Sequence, residues 1–85
     1  MREFSYTITD EIGIHARPAG TIAKKAKEFA STITITKDGK TAELKKLMAV
    51  MALGIKQGDT VTVTANGEDE EIAIWAIEKL FQAEL

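Results

Sequence analysis

His15 is the only histidine of the chain and Pro18 the only proline, with Arg17 between them. They lie in the run Gly13-Ile14-His15-Ala16-Arg17-Pro18-Ala19-Gly20. Proline is accommodated in the first turn of a helix, where its missing N–H has no intrahelical partner to lose. An apolar stripe at helical spacing starts at Pro18, so His15 is expected at or just before a helix N-terminus. That end of a helix presents free backbone N–H groups and a partial positive charge, which attract anions. Imidazole is a nucleophile, and guanidinium is a charged donor matched to phosphate oxygens. Together they fit the transient holding of a phosphoryl group.

Other chemistries find less support. One histidine without cysteine leaves only carboxylates as further ligands, so no metal site is expected. No nucleophile-elbow pattern accompanies the histidine, and the loops are too short to build an oxyanion pocket. The phosphate-binding and dinucleotide-binding glycine motifs are absent.

The elements that must position His15 can be read from periodicity. Phe4, Tyr6 and Ile8 alternate with polar residues, which predicts a half-buried strand. After a loop through Asp10 to Gly13, Ala19, Ile22, Ala23, Ala26 and Ala30 recur as one packed helical face. Thr32 to Thr36 alternates strictly and is β-branched throughout, a second strand. Asp38-Gly39 predicts a tight hairpin into a short third strand near Lys40 to Leu44. Leu47 to Leu53 is an unbroken apolar run closed by Gly54, best read as a short helix with a glycine C-cap. Thr60 to Thr64 is the fourth strand, and Asn66-Gly67 ends it. Asp69 is the expected N-cap of a last helix from about Glu70 to Ala83, with Ala73, Ile74, Ile77, Leu80 and Phe81 inward. Four alternating strands each have one face to bury. The expected fold is α+β, an open-faced β-sandwich of order βαββαβα: a four-stranded antiparallel sheet with three helices on one face.

Composition sets the scale. Eighty-five residues, 45% hydrophobic and 28% charged, fit one small domain over residues 1–85. A chain of this size has little room for a deep cleft, so shallow surface chemistry or partner binding is favoured. There is no cysteine, no apolar run near the roughly 20 residues that span a bilayer, and no signal-like start, so a cytoplasmic location without membrane insertion is expected. A net charge of −2 argues against general binding to nucleic acid. Lysines nevertheless gather in the first 46 residues, at Lys24, Lys25, Lys27, Lys40, Lys45 and Lys46. The acidic run Glu68 to Glu71 fits dipole complementation at the start of the last helix.

The short apolar helix is the second site-like feature. At about 100° per residue, Val50 and Leu53 share one arc and Leu47, Met48 and Met51 a roughly opposite one. A two-turn helix on a sheet can bury one arc only. An exposed Leu/Met arc suits adaptable protein contacts.

Over its whole length the chain resembles the HPr family, the histidine-containing phosphocarriers of the bacterial sugar phosphotransferase system. Gly13-Ile14-His15-Ala16-Arg17-Pro18-Ala19 is similar to the family's active-site motif, and Lys45 to Gly54 with Gln57-Gly58 to its second signature. The resemblance implies that His15 accepts a phosphoryl group on Nδ1 from phosphorylated enzyme I and passes it to an enzyme IIA domain of a sugar permease. It implies that Arg17 neutralises the phosphate oxygens and that the amides of Ala16 and Arg17 bind them. Gly20, Lys24, Lys27, Lys45, Leu47, Met48 and Met51 would form the docking face. No cofactor is implied, the phosphate coming from phosphoenolpyruvate. Such a protein is a carrier rather than a stand-alone enzyme, and a monomer is expected.

One position departs from the pattern. Lys46 stands where Firmicute members carry a regulatory serine, and it offers a dedicated kinase no hydroxyl. Two other readings remain open. One is an HPr-like regulatory phosphoprotein acting on transcriptional or nitrogen-related partners. The other is a nucleic-acid-binding sheet, which would need exposed strand aromatics; Phe4 and Tyr6 are instead expected on the core face.

Overall fold

A strand whose apolar residues fall at every second position can bury one face and wet the other. Four segments do so in the computed structural model, which describes residues 1–85. They are β1 (Arg2–Thr7), β2 (Thr32–Lys37), β3 (Lys40–Glu43) and β4 (Thr60–Asn66), joined by helices α1 (Ala16–Ala26) and α2 (Leu47–Met51) and followed by α3 (Glu70–Glu84). The element order and the antiparallel pairing are those expected. The strand order is β1-β4-β2-β3.

The open face of the sheet carries hydroxyls. Ser5, Thr62, Thr36 and Thr41 form one row across the four strands. Neighbouring hydroxyls in that row bond to one another, Ser5 to Thr62 at 3.3 Å and Thr36 to Thr41 at 2.9 Å. Such a face tolerates water, so the helices cover the other one. There Ile33, Ile35, Val61 and Val63 meet Ile22 and Ala26 of α1, Val50 of α2, and Ala73, Ile77 and Phe81 of α3. Phe81 stands edge-on to Phe4 and Tyr6, with centroids at 5.4 and 5.8 Å. Both strand aromatics therefore belong to the core side, and the open face has none to stack on a base. The α3 stripe Ala73, Ile77, Phe81 continues at the same spacing to Leu85, which is buried two residues beyond the expected helix end at Ala83.

Several boundaries differ from expectation. The first helix begins at Ala16, two residues before the apolar stripe, and it ends at Ala26. Ala30 is thus outside it and exposed rather than on its packed face. α2 stops at Met51 instead of Leu53. Leu53 and Gly54 close the end with tighter bonds to the carbonyls of Val50 (3.1 Å) and Met51 (3.2 Å). Gly54 then leaves the helix at a φ of 64°, in the left-handed region that glycine enters freely.

Asp69 occupies the N-cap position of α3 but does not cap it. Its carboxylate reaches the turn after α1 instead. Oδ2 accepts the N–H of Ala30 (2.8 Å), and Oδ1 accepts the N–H of Ser31 (2.9 Å) and the Ser31 hydroxyl. The chain can come this close because residue 67 is glycine. A Cβ at Gly67 would lie 2.7 Å from the Ser31 Cα. Sequence spacing shows only the local option, the cap, and the distant donors won because they supply three bonds.

The Ser31 hydroxyl, and after it the Ala30 amide, hold the Asp69 carboxyl below the usual carboxylate range. A depressed folded pKa stabilises the fold fully above the unfolded value of about 3.9 and stops doing so as pH falls through the folded value. Urea unfolding of the parent and of Asp69→Ala should therefore differ by a constant amount near neutral pH. The two curves should converge as the pH is taken below 4. A gap that stays the same down to pH 2 would mean the charge of Asp69 does not matter.

Candidate functional site

The site is built by the loop that enters α1. Asp10 starts it with an Asx turn, its Oδ1 accepting the N–H of Ile12 at 2.8 Å and its carbonyl accepting the N–H of Gly13 at 3.0 Å. Gly13 has a φ of 81°. A Cβ there would sit 2.5 Å from the Ile55 carbonyl oxygen and 2.7 Å from the Lys56 Cα. That approach lets the Ile14 N–H reach the same Ile55 carbonyl at 3.1 Å, with the Ile14 side chain buried beneath.

His15 follows as the N-cap of α1 in extended backbone, φ −132° and ψ −178°. Its carbonyl accepts the first helical bond, from the Ala19 N–H at 3.0 Å. Its ring is half-buried and caps nothing. Ala16 and Arg17 open the helix, so their N–H groups have no carbonyl one turn earlier to bind. Pro18 has no N–H to leave over, and it is buried. Arg17 is exposed, with no carboxylate paired to it. Asp10, His15, Arg17, Pro18 and Glu84 line one shallow cleft. The two free amides and the guanidinium are donors suited to a tetrahedral oxyanion beside the imidazole.

Asp10 and Glu84 were not anticipated. Asp10 left a trace in the sequence, an Asx-turn residue three before a glycine. Glu84 left none, because only the packing of α3 brings it to His15.

The expected docking residues are placed as follows. Gly20 is half-buried, and a Cβ there would meet nothing within 4 Å, so packing does not require the glycine. Lys24 and Lys27 are exposed on α1. Lys45 turns inward, its ammonium donating to the Phe29 carbonyl at 2.9 Å. Lys46 pairs with Glu43 at 2.9 Å, and that bond holds the Glu43 carboxyl low.

On α2, Val50 is buried and the Leu/Met arc faces outward, but less fully than the two-arc argument implied. Met48 is 74% exposed, whereas Leu47 and Met51 are half-buried and pack on the core. Leu53 is half-buried too. The reason is that α2 touches both α1 and β3, so its flanks are covered as well as its base.

A family model described as the PTS HPr component phosphorylation site matches residues 2–83. The chain belongs to the HPr family. It is 48% identical over 79 residues to the phosphocarrier protein HPr of Mycoplasma capricolum subsp. capricolum, a match covering 93% of this chain and 89% of that protein. Its structure is similar to that of a Mycoplasma histidine-containing phosphocarrier protein, with a TM-score of 0.94 at 45% identity over 96% of this chain and 93% of that one. HPr-C-His from Thermoanaerobacter tengcongensis superposes with a TM-score of 0.93 at 40% identity over 98% and 93% of the respective chains. Membership of the HPr family makes this chain a phosphocarrier of the phosphotransferase system. No helix is long and apolar enough to cross a membrane.

Two substitution pairs probe this geometry. Gly13→Ala combines an unfavourable φ with a backbone clash and should destabilise by about 1–3 kcal/mol or more. Gly39→Ala shares the positive φ, 78°, but has open space, and should cost only about 1–2 kcal/mol. Equal losses in urea would remove the Ile55 contact from the account. On α2, Val50→Ala should cost about 1–3 kcal/mol and Met48→Ala under about 0.5 kcal/mol. The reverse order would mean that α2 is rotated.

Proposed function

We propose that the phosphoryl group is carried on Nδ1 of His15, received from phosphorylated enzyme I and delivered to an enzyme IIA domain of a sugar permease. The supporting observation is the position of the chain's only histidine. Its ring caps no helix bond and stands beside Arg17 and two unpaired amides. In the first transfer the Nδ1 lone pair attacks phosphorus as the bond to enzyme I breaks, and in the second the acceptor attacks as the bond to His15 breaks. The guanidinium of Arg17 and the N–H groups of Ala16 and Arg17 hold the phosphoryl oxygens throughout. They are placed before the charge arrives, so little reorganises at the moment of transfer.

Both partners dock on the surface around this helix start: Gly20, Lys24 and Lys27 of α1, then Leu47, Met48 and Met51 of α2. Met48 is the exposed apolar anchor, and the lysines favour acidic rims on the partners. Lys45 acts there mainly by fixing the Phe29 turn. Lys46 keeps this surface free of the negative charge that a phosphorylated serine would bring. The chain acts as one HPr domain in the cytoplasm.

Incubation with phosphoenolpyruvate and enzyme I should add one acid-labile phosphoryl group, visible by intact mass, and His15→Ala should add none. Charged hydrogen bonds contribute about 1.5–3 kcal/mol, so Arg17→Ala should slow transfer on the order of 10- to 100-fold. Its stability should change by under about 0.5 kcal/mol. An acid-stable adduct, or an Arg17→Ala variant as fast as the parent, would contradict the mechanism.

A further inference from the structure

Position 67 must be a glycine. A Cβ there would lie 2.7 Å from the Ser31 Cα and 2.7 Å from the Ser31 hydroxyl oxygen, so no side chain fits. The residue before it is Asn66, the only asparagine of the chain. The close approach that lets Asp69 clamp the turn after α1 therefore sets an unshielded peptide nitrogen next to a side-chain amide. That nitrogen can attack the amide carbon through a five-membered ring, and a glycine hinders the approach least.

The surroundings of Asn66 let this happen in the folded chain. Asn66 is exposed and is the last residue of β4, opposite Thr32 of β2. β1 pairs no further than Ala65, so a single neighbouring strand holds this final rung. Such a strand end opens locally while the rest of the domain stays folded. One restraint opposes the attack. The Gly67 N–H donates to Glu70 Oε1 at 3.2 Å, and loss of that proton would set two negative charges in contact. Gln57 also precedes a glycine, but its Nε2 donates to the Thr9 carbonyl at 3.2 Å and its ring would be one atom larger.

We propose that Asn66 is a site of spontaneous deamidation in the folded protein, restrained by Glu70. The Gly67 nitrogen gives its proton to a solvent base and bonds to Cγ of Asn66. The Cγ–Nδ2 bond breaks, and ammonia leaves with a proton from solvent. Water then opens the succinimide at one of its two carbonyls, giving an aspartyl or an isoaspartyl residue. Either product carries one new negative charge beside Glu68, Asp69, Glu70 and Glu71. The isoaspartyl product also adds one carbon to the main chain just before Gly67. Contact with Ser31 leaves no slack there, so the Asp69 clamp loosens.

Isoelectric focusing and peptide mapping of protein kept in mildly alkaline buffer should show one negative charge gained at position 66. Asn66→Gln should abolish the change. With one rung to open and one charged hydrogen bond to break, the folded chain should react roughly 10- to 100-fold more slowly than the chain in urea. Access through global unfolding alone would make it more than about 10³-fold slower. Glu70→Ala should react about tenfold faster than the parent when folded, and at the parent's rate in urea. Val50→Ala loses stability away from this turn and should leave the folded rate within about twofold. The isolated isoaspartyl form should unfold at a lower urea concentration than the parent. A folded rate as slow as global unfolding allows would overturn the proposal, as would a charge gained at Gln57 instead. A Val50→Ala variant accelerated as much as Glu70→Ala would remove Glu70 as the restraint, and an isoaspartyl form as stable as the parent would remove the effect on the clamp.

Discussion

Everything at the histidine depends on one close approach of backbone to backbone, Gly13 lying on Ile55 and Lys56. Only a residue without a side chain fits there, since a Cβ would come within 2.5 Å of the Ile55 oxygen. The segment it rests on is itself fastened. The Lys37 ammonium donates to the Gly54 carbonyl at 3.1 Å and pairs with Asp59 at 3.0 Å. Asp59 accepts the Lys56 N–H at 2.8 Å, and that bond, followed by the one from Lys37, keeps its carboxyl low. Ile8 exchanges bonds with Gly58 and Asp59 on the other side. The position of His15 is thus set by residues 40 positions further along as much as by its own helix.

A small α+β domain cannot enclose a reaction, and this one does not try. The start of α1 supplies donors that cost no pocket: two amides left over by helix geometry and one arginine at the surface. Pro18 matters here because the third amide of the turn, which would otherwise also need a partner, is absent. An exposed helix start also suits the proposed transfer, in which a group on His15 is reached first by a donor and then by an acceptor.

Much of this was legible in the chain. The strands were readable because Thr32 to Thr36 and Thr60 to Thr64 alternate without exception, and one wet face implied helices on the other. The place of His15 at the start of α1 was readable because a proline suits a first helical turn and the apolar stripe begins there. What escaped were contacts whose partners are distant in sequence. Asp69 looks like a cap and is a clamp on Ala30 and Ser31. Lys45 looks like a surface charge and closes the turn at Phe29. Glu84 reaches the histidine cleft only because the stripe of α3 extends to Leu85.

The strand order has a consequence for how the protein is made. β1 leaves the ribosome first, yet its only neighbour in the sheet is β4, which begins at Thr60. At about 5–20 residues per second, synthesis of the intervening chain takes roughly 3–10 s. During that interval β1 has no strand to pair with, and Gly13 has no Ile55 to rest on. The β2–β3 hairpin can close meanwhile, because its two strands are joined by a tight turn. Completion of the sheet and completion of the histidine loop are therefore one late event, and a half-made chain presents the residues of the site without their arrangement.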